Sequence, residues 1–333
     1  MSKEKDKIKI SVGVITYNQH DTIRQTLDSI LCQQGDFALE VVIGEDCSPD
    51  DTYAICSEYV ERYPNVVKLL PNTRNLGIMA NFARVMRACT GEYIGILAGD
   101  DYWCDDHKLE KQLHFMQANP QFGVCCTSGY RLMVETGRLV PGIEPMEPIP
   151  GGDISKFYKD RISGIYAQPL SVLFKRELLQ YIDFDEYIKR QFPLEDYPMQ
   201  SVWAHHTLFG HLPDRTSVYR ISRKSATFTF FDNPKYMAYY SGIADIRRYL
   251  HELFPEDVPF TEEWAAEFVH HKQFLQYVWY LNYKAAKKHV VDFDITSAVN
   301  RKERKIVSNP IAFYAFALYK RIVWYTNSKS RTN

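Results

Sequence analysis

The sequence predicts an α/β protein: a mostly parallel sheet flanked by helices, with a C-terminal helical extension. Three observations carry that expectation. Strand and helix patterns alternate through the first hundred residues, each apolar strand ends on a polar cluster, and from Tyr236 onward only helical periodicity remains.

The elements follow in order. Residues 10–16 form a strand, and residues 22–33 a helix with Ile23, Leu27, Ile30 and Leu31 on one face. A strand at 39–44, a helix at 52–62, a strand at 66–70, a helix at 78–88 and a strand at 93–97 complete the alternation. That spacing requires a parallel sheet with helices on both faces. Past residue 107 the pattern loosens into a helix at 107–117, a strand at 123–128 and a Pro/Gly-rich loop at 141–152. A strand at 171–175, a helix at 196–209 and a strand at 215–221 follow.

Composition narrows the classes. The chain has 333 residues, 45% of them hydrophobic, enough for a large core, and its net charge of −1 leaves no basic footprint for nucleic acid. Seven cysteines include no C-x-x-C pair and no zinc-finger spacing. Cys32, Cys56, Cys89, Cys125 and Cys126 lie in apolar-periodic context and read as buried free thiols, which fits a reducing cytosol. Residues 1–9 are charged and carry no apolar signal segment, so the expected location is cytoplasmic. The 23 tyrosines suit sugar stacking and ordinary packing equally. Residues 311–325 are apolar but interrupted by Lys320-Arg321, too short for a span needing about 20 apolar residues. They read either as an interfacial helix with a basic flank, touching a membrane surface, or as a docked C-terminal helix.

In a parallel sheet, ligands bind beyond the carboxyl ends of the strands, so the polar residues there matter most. The first strand ends in Thr16-Tyr17-Asn18, the second in Glu45-Asp46-Cys47-Ser48-Pro49-Asp50-Asp51-Thr52, the fourth in Asp100-Asp101. Ser48 and Asp50 stand where N-caps of the next helix belong, whereas Asp46 comes too early to cap and reads as a ligand contact. An apolar strand closing on two carboxylates needs a compensating partner, because each charge costs several kcal/mol to desolvate. A hard divalent cation shared with phosphate oxygens would supply it; a solvated turn is the alternative.

Together these clusters resemble the family 2 glycosyltransferases, nucleotide-sugar-dependent enzymes of the A-type glycosyltransferase fold. The resemblance runs through Ser11-Val12-Gly13-Val14-Ile15-Thr16-Tyr17-Asn18, the Glu45-Asp46-Cys47-Ser48 segment, Asn75-Leu76-Gly77, Asn81 and Thr90-Gly91-Glu92-Tyr93-Ile94. It continues through Asp100-Asp101 with Trp103, Lys108-Leu109, Glu195-Asp196-Tyr197-Pro198 and Val218-Tyr219-Arg220, covering roughly residues 8–228. It implies a catalytic domain over residues 1–232, with a nucleotide-sugar half at 8–128 and an acceptor half at 129–232, and a helical extension at 233–333.

The resemblance also implies roles. Asp46 would accept from the ring N–H of the base, with Thr16 and Tyr17 beside it. Asp101 would hold Mn²⁺ or Mg²⁺, and Asp100 would face ribose or sugar hydroxyls. Asp196 would be the general base, with Glu195 its acidic neighbour and fallback; a helix N-terminus that favours negative charge is the competing account of that pair. Residues 166–171 fall where the family builds its acceptor floor. Three departures stand out: Ala98 where an acid is common, Ser222 where a histidine is common, and Cys47 for a small residue. Arg220, Arg223 or Lys224 would then compensate for the histidine. Arg74 and Arg84 read as solvated helix charges, and His205 and His206 as packing or surface residues.

The implied activity is inverting transfer of a sugar from a nucleoside diphosphate donor, a UDP-sugar, to a glycan or lipid-linked acceptor. The setting would be cell-surface polysaccharide biosynthesis at the inner face of the cell membrane. A sugar nucleotidyltransferase is the alternative, but it wants a Gly-rich, basic loop where this chain has Thr16-Tyr17-Asn18-Gln19-His20. A catalytically silent nucleotide-sugar-binding domain is another, and it predicts loss of Asp101 or Asp196, both of which are present.

Overall fold

The computed structural model describes residues 7–70, 72–143, 168–222, 236–292 and 298–330. The chain divides into two compact units, residues 1–221 and 222–333. The expected boundary at 232/233 falls outside the described residues, as do Arg223, Lys224, residues 166–167 and residues 144–152 of the Pro/Gly-rich loop.

The first unit opens with β1 (Lys9–Thr16), α1 (Ile23–Leu31), β2 (Ala38–Glu45), α2 (Thr52–Arg62), β3 (Val67–Leu70), α3 (Ile78–Ala88) and β4 (Tyr93–Ala98). It continues with β5 (Tyr102–Trp103), α4 (Lys108–Ala118), β6 (Phe122–Met133), β7 (Arg138–Ile143), β8 (Leu173–Lys175), α5 (Phe184–Lys189), α6 (Asp196–Trp203) and β9 (Leu208–Ile221). The strands form one nine-stranded sheet in the order β3-β2-β1-β4-β8-β6-β9-β5, with β7 paired to β6. β3, β2, β1 and β4 run parallel, as the alternation requires. Beyond β4 the sheet is mixed: β8 is antiparallel to β4 and β6, β7 to β6 and β5 to β9, while β6 and β9 are parallel.

Alternate residues of β1 and β2 (Ile10, Val12, Val14, Val41 and Ile43) pack with Ile23, Leu27 and Ile30 of α1 and Ile55, Cys56 and Tyr59 of α2. The other face is covered by α3, where Phe82, Val85 and Met86 are buried. Cys56, Cys89, Cys125 and Cys126 are buried thiols, but Cys32 is exposed, because it caps α1 just past the last buried turn.

Several elements differ from expectation. The strand expected at 171–175 starts at Leu173, since Pro169–Ser171 forms a 3₁₀ turn. The helix expected to reach 209 stops at Trp203, because Leu208 and Phe209 already pair with β6. β6 runs on to Met133, and residues 141–143 belong to β7 rather than to a loop.

The second unit contains α7 (Tyr236–Leu253), α8 (Glu262–Trp279), α9 (Tyr283–Asp292), α10 (Ala298–Val307) and α11 (Pro310–Ser330). Its own core gathers Phe274, Val278, Ala286, Val290, Val307, Phe313 and Ala317. No helix among the described residues is long and apolar enough to cross a membrane.

Candidate active site

The site is built where β1, β2 and β4 end. Thr16 closes β1 and donates through Oγ1 to Gln19 Oε1 at 2.7 Å, while its carbonyl accepts from the Asp46 N–H at 3.0 Å. The chain then turns through Asn18 in the left-handed region, φ 56°. Three bonds tie this turn to the loop after β2: Asn18 N–H to Ser48 Oγ at 2.9 Å, Gln19 N–H to Thr52 Oγ1 at 2.8 Å, and His20 N–H to Asp50 Oδ2 at 3.2 Å. Asp50 also accepts from the Thr52 N–H at 3.0 Å, but the N-cap of α2 is Asp51, which makes no side-chain capping bond, and Ser48 is taken by Asn18 instead of capping the helix. Tyr17 stays about half exposed on this rim.

Asp46 is buried, and its carboxylate fastens the loop before α3. Oδ1 accepts from Asn72 Nδ2 at 2.9 Å and the Leu76 N–H at 2.8 Å, and Oδ2 accepts from the Gly77 N–H at 2.9 Å. A carboxylate oxygen offers two acceptor directions. Oδ1 is therefore filled by the protein, and Oδ2 keeps one direction for a further donor. Sequence reasoning singled out Asp46 as a ligand contact and missed this clamp, whose signal is the asparagine pair Asn72 and Asn75.

The Asp100-Asp101 turn lies against the end of β1. A Cβ on Gly99 would stand 2.4 Å from Gln19 Oε1 and 2.6 Å from Thr16 Oγ1, so only glycine allows the approach. Thr22 and Thr26 of the α1 region donate to the Gly99 carbonyl at 2.8 and 3.0 Å, and Thr26 also to the Asp101 carbonyl at 2.6 Å. β5 then pairs Tyr102 with Val218 of β9, which brings Arg220 to the carboxylates. The Arg220 N–H donates to Asp101 Oδ1 at 2.8 Å. Its guanidinium donates to the Asp100 carbonyl and to Gln25 Oε1, and stands 4.7 Å from the centre of the Tyr102 ring.

Asp101 is only 3% exposed, which removes the solvated-turn account. Burial, and secondarily the charge of Asp100, raises its carboxyl well above the usual range; the N–H and charge of Arg220 oppose this without cancelling it. Burial likewise raises Asp100 against the pull of Arg220. Two adjacent carboxylates that ionise reluctantly are what a divalent cation would relieve. Among the described residues no group of three His, Cys, Asp or Glu side chains gathers to hold a metal. The donor set is one or two carboxylates, which fits Mg²⁺ or Mn²⁺ completed by substrate phosphates and water, not an all-protein cage.

Glu195 and Asp196 open α6, and Glu195 makes no side-chain capping bond. Asp196 accepts from the Tyr197 N–H at 2.7 Å and lines a narrow cleft, too tight for a water molecule, with Phe82, Ile96, Pro169 and Val172. Ile96 lies on β4, two residues before Ala98, so the acidic pair stands beside the strand that delivers Asp100-Asp101. Burial and the neighbouring Glu195 push the Asp196 carboxyl up to about 8. Burial also raises Glu195, though this residue is less enclosed.

The cleft floor rests on a buried network that sequence reasoning did not find. The Ser171 carbonyl accepts from Gln112 Nε2 at 2.9 Å and from Lys108 Nζ at 3.3 Å, and Trp103 Nε1 donates to the Leu170 carbonyl at 2.8 Å. Lys108 is fully buried, and burial lowers its ammonium to about 7. Its signal was a lysine four residues before a glutamine on an otherwise apolar helix face.

The structure thus brings Thr16, Tyr17, Asp46, Asp100 and Asp101 onto one rim, with Glu195 and Asp196 along β4. The histidines lie apart from this: His205 Nδ1 meets the Ser201 carbonyl at 2.8 Å, and His206 stacks on Tyr181 at 3.7 Å. Arg74 is exposed.

Residues 11–181 match the sequence profile described as Glycosyl transferase family 2. An uncharacterized Mycobacterium tuberculosis protein is 40% identical over 116 residues, 35% of this chain and 34% of that protein. Bacillus subtilis EpsE, named a glycosyltransferase, is 32% identical over 143 residues, 43% of this chain and 50% of EpsE. The dTDP-rhamnosyl transferase RfbG of Shigella flexneri is 34% identical over 95 residues, 27% of this chain and 32% of RfbG. The chain therefore spans about a third to a half of the length of these curated relatives.

Among solved structures, Staphylococcus aureus TarS 1–349 in complex with UDP-GlcNAc superposes with a TM-score of 0.53 at 20% identity, covering 81% of this chain and 73% of that one. The mannosyltransferase PcManGT of Pyrobaculum calidifontis, in complex with GDP-Man and Mn²⁺, gives 0.52 at 17% identity, covering 94% and 88%. At such identities the likeness concerns the fold.

Proposed function

The chain belongs to glycosyl transferase family 2, and from that premise we propose an inverting transfer of a sugar from a UDP-sugar to a glycan or lipid-linked acceptor. The setting is cell-surface polysaccharide assembly at the inner face of the cell membrane. The observation that carries this reading is the buried Asp100-Asp101 corner, fastened by Arg220, on the strand that also lines the Asp196 cleft.

The nucleotide occupies the rim. Its base lies beside Tyr17 and Thr16 and donates a ring N–H into the remaining direction of Asp46 Oδ2, while Asp100 receives ribose or sugar hydroxyls. Asp101 would hold Mn²⁺ or Mg²⁺, which when bound neutralises charge on the leaving diphosphate. The acceptor oxygen attacks the anomeric carbon as its proton passes to Asp196. The new C–O bond forms as the bond from that carbon to the diphosphate breaks, and the configuration inverts. Arg220, whose N–H holds the Asp101 carboxylate and whose guanidinium donates to the Asp100 carbonyl, supplies positive charge in place of the histidine that many relatives carry where Ser222 stands. The apolar cleft walls, Phe82, Ile96 and Val172, keep water from competing with the acceptor.

A thermal-shift screen of UDP, GDP, CDP and dTDP, each with and without Mn²⁺, tests the donor. A nucleotide that binds only the folded state raises the melting point, and the largest shift is expected from UDP with Mn²⁺. Asp101→Ala removes the Mn²⁺-dependent part. Asp196→Ala keeps the shift but loses transfer. Unchanged transfer in both variants, across a panel of nucleotide sugars, sinks the mechanism.

A further inference from the structure

The solvent side of α11 is apolar. Ile311 is 78% exposed, Leu318 59%, Tyr319 58%, Ile322 51% and Tyr314 46%. Its opposite side is already used: Phe313 and Ala317 are buried with Phe274, Val278 and Val307 in the core of the second unit. At about 100° per residue, Leu318, Ile311 and Ile322 form one narrow aliphatic ridge. Tyr314 flanks it on one side and Tyr319 on the other, the whole arc spanning about 140°. α11 thus carries an apolar stripe on each of two sides, and only one of them is inside protein.

The surrounding charge says what covers the other half. Residues 268–333 contain 12 lysines and arginines against three aspartates and glutamates, in a chain whose net charge is −1. Two cations border the ridge. Tyr283 lies 6.5 Å from Tyr314, with Lys287 Nζ 5.9 Å from the centre of its ring. Arg321 projects from α11 itself, donating to the Trp279 carbonyl and standing 5.7 Å from the centre of the Trp279 ring. The turn it touches continues into Tyr280 and Leu281, 46% and 39% exposed. Lys284, Lys288, Arg301, Lys302, Arg304 and Lys305 add exposed positive charge on α9 and α10.

We propose that α11 lies flat on an anionic lipid surface, with Ile311, Leu318 and Ile322 entering the acyl boundary. Tyr314 and Tyr319 then sit at headgroup level, where an apolar ring with a polar tip is favoured, and the flanking cations meet acidic headgroups. A second copy of this unit would set like charge against like charge. The helix is too polar to span, so it lies on the surface instead of crossing it. This deepens the reading of the acceptor, on which it rests for its purpose, by assigning the surface that brings the first unit to a lipid-linked acceptor.

The test is flotation of the full chain with vesicles of phosphatidylcholine alone and with a third of phosphatidylglycerol. Binding is expected to the anionic vesicles only and to weaken as salt rises, because exposed charges are screened. Leu318→Gln/Ile322→Gln, which changes no charge, should weaken that binding at least about tenfold while the UDP-induced thermal shift stays as in the parent. Absence of wild-type binding to anionic vesicles overturns the proposal, as does equal binding by the variant. A dimer in solution that the variant dissociates, without vesicle binding, assigns the ridge to a second copy and also overturns it. Failure of sugar transfer with vesicle binding intact would strike the active-site reading alone.

Discussion

Asp196 is held in two opposed ways. A general base must ionise, yet burial and Glu195 lift its carboxyl from the ordinary 3.8 to about 8. Between those values the folded protein keeps a proton that the unfolded chain has released. Stability from this group is therefore full at acid pH and lost as pH rises through about 8, while the ionised base accumulates over the same range. Transfer is expected to climb with pH and level off above about 8 in a kcat/KM profile. Asp196→Asn keeps an oxygen for the Tyr197 N–H but cannot take a proton. It should lose about 10²-fold or more of the rate, yet at pH 9 unfold with a stability about 0.5–2 kcal/mol above the parent. A variant less stable than the parent at pH 9 would contradict the sign of this argument.

At the scale of elements, the site depends on how closely β1 and β4 end together. Gly99→Ala puts a methyl within 2.6 Å of Thr16 Oγ1 and 2.4 Å of Gln19 Oε1. Overpacking of this kind costs about 1–3 kcal/mol, and relief comes most easily by moving the Asp100-Asp101 turn outward. The variant is expected to fold, with a lowered melting point, and to lose Mn²⁺-dependent nucleotide binding by more than its loss of stability explains; isothermal titration beside thermal unfolding reads both. The sequence made this region legible because β1 to β4 alternate with helices of clear 3.6-residue period, and α2 and α3 lie where the pattern placed them. It hid β5, since two residues carry no period, and the near half of β9, where Leu208-Phe209 extends a helical pattern until pairing with β6 decides otherwise. Asp101 was visible as an unaccountable charge, and Arg220 as one of three candidate compensators. The bond between them was not, because it follows from β5 meeting β9 across more than a hundred residues. The Lys108–Gln112–Ser171 network was hidden for the same reason.

At the scale of the molecule, the two units carry separate cores, and the nucleotide is expected to bind residues of the first alone. Ligand stabilisation acts only on the cooperative unit that holds the site: a nucleotide at 100 times its Kd adds about 2.7 kcal/mol there. Phe313 in the second unit is fully buried, its ring 5.5 Å from that of Tyr283. Phe313→Ala leaves a cavity worth about 3–5 kcal/mol, a large fraction of the stability of a domain this size. If each core is its own folding unit, scanning calorimetry should show this variant melting α7–α11 earlier, while the transition that UDP and Mn²⁺ raise keeps both its position and its shift. Equal loss from a single shared transition would mean that the two cores unfold as one. In that case lipid contact at α11 would stabilise the sugar-transfer unit directly, and vesicles alone would raise the nucleotide-sensitive melting point.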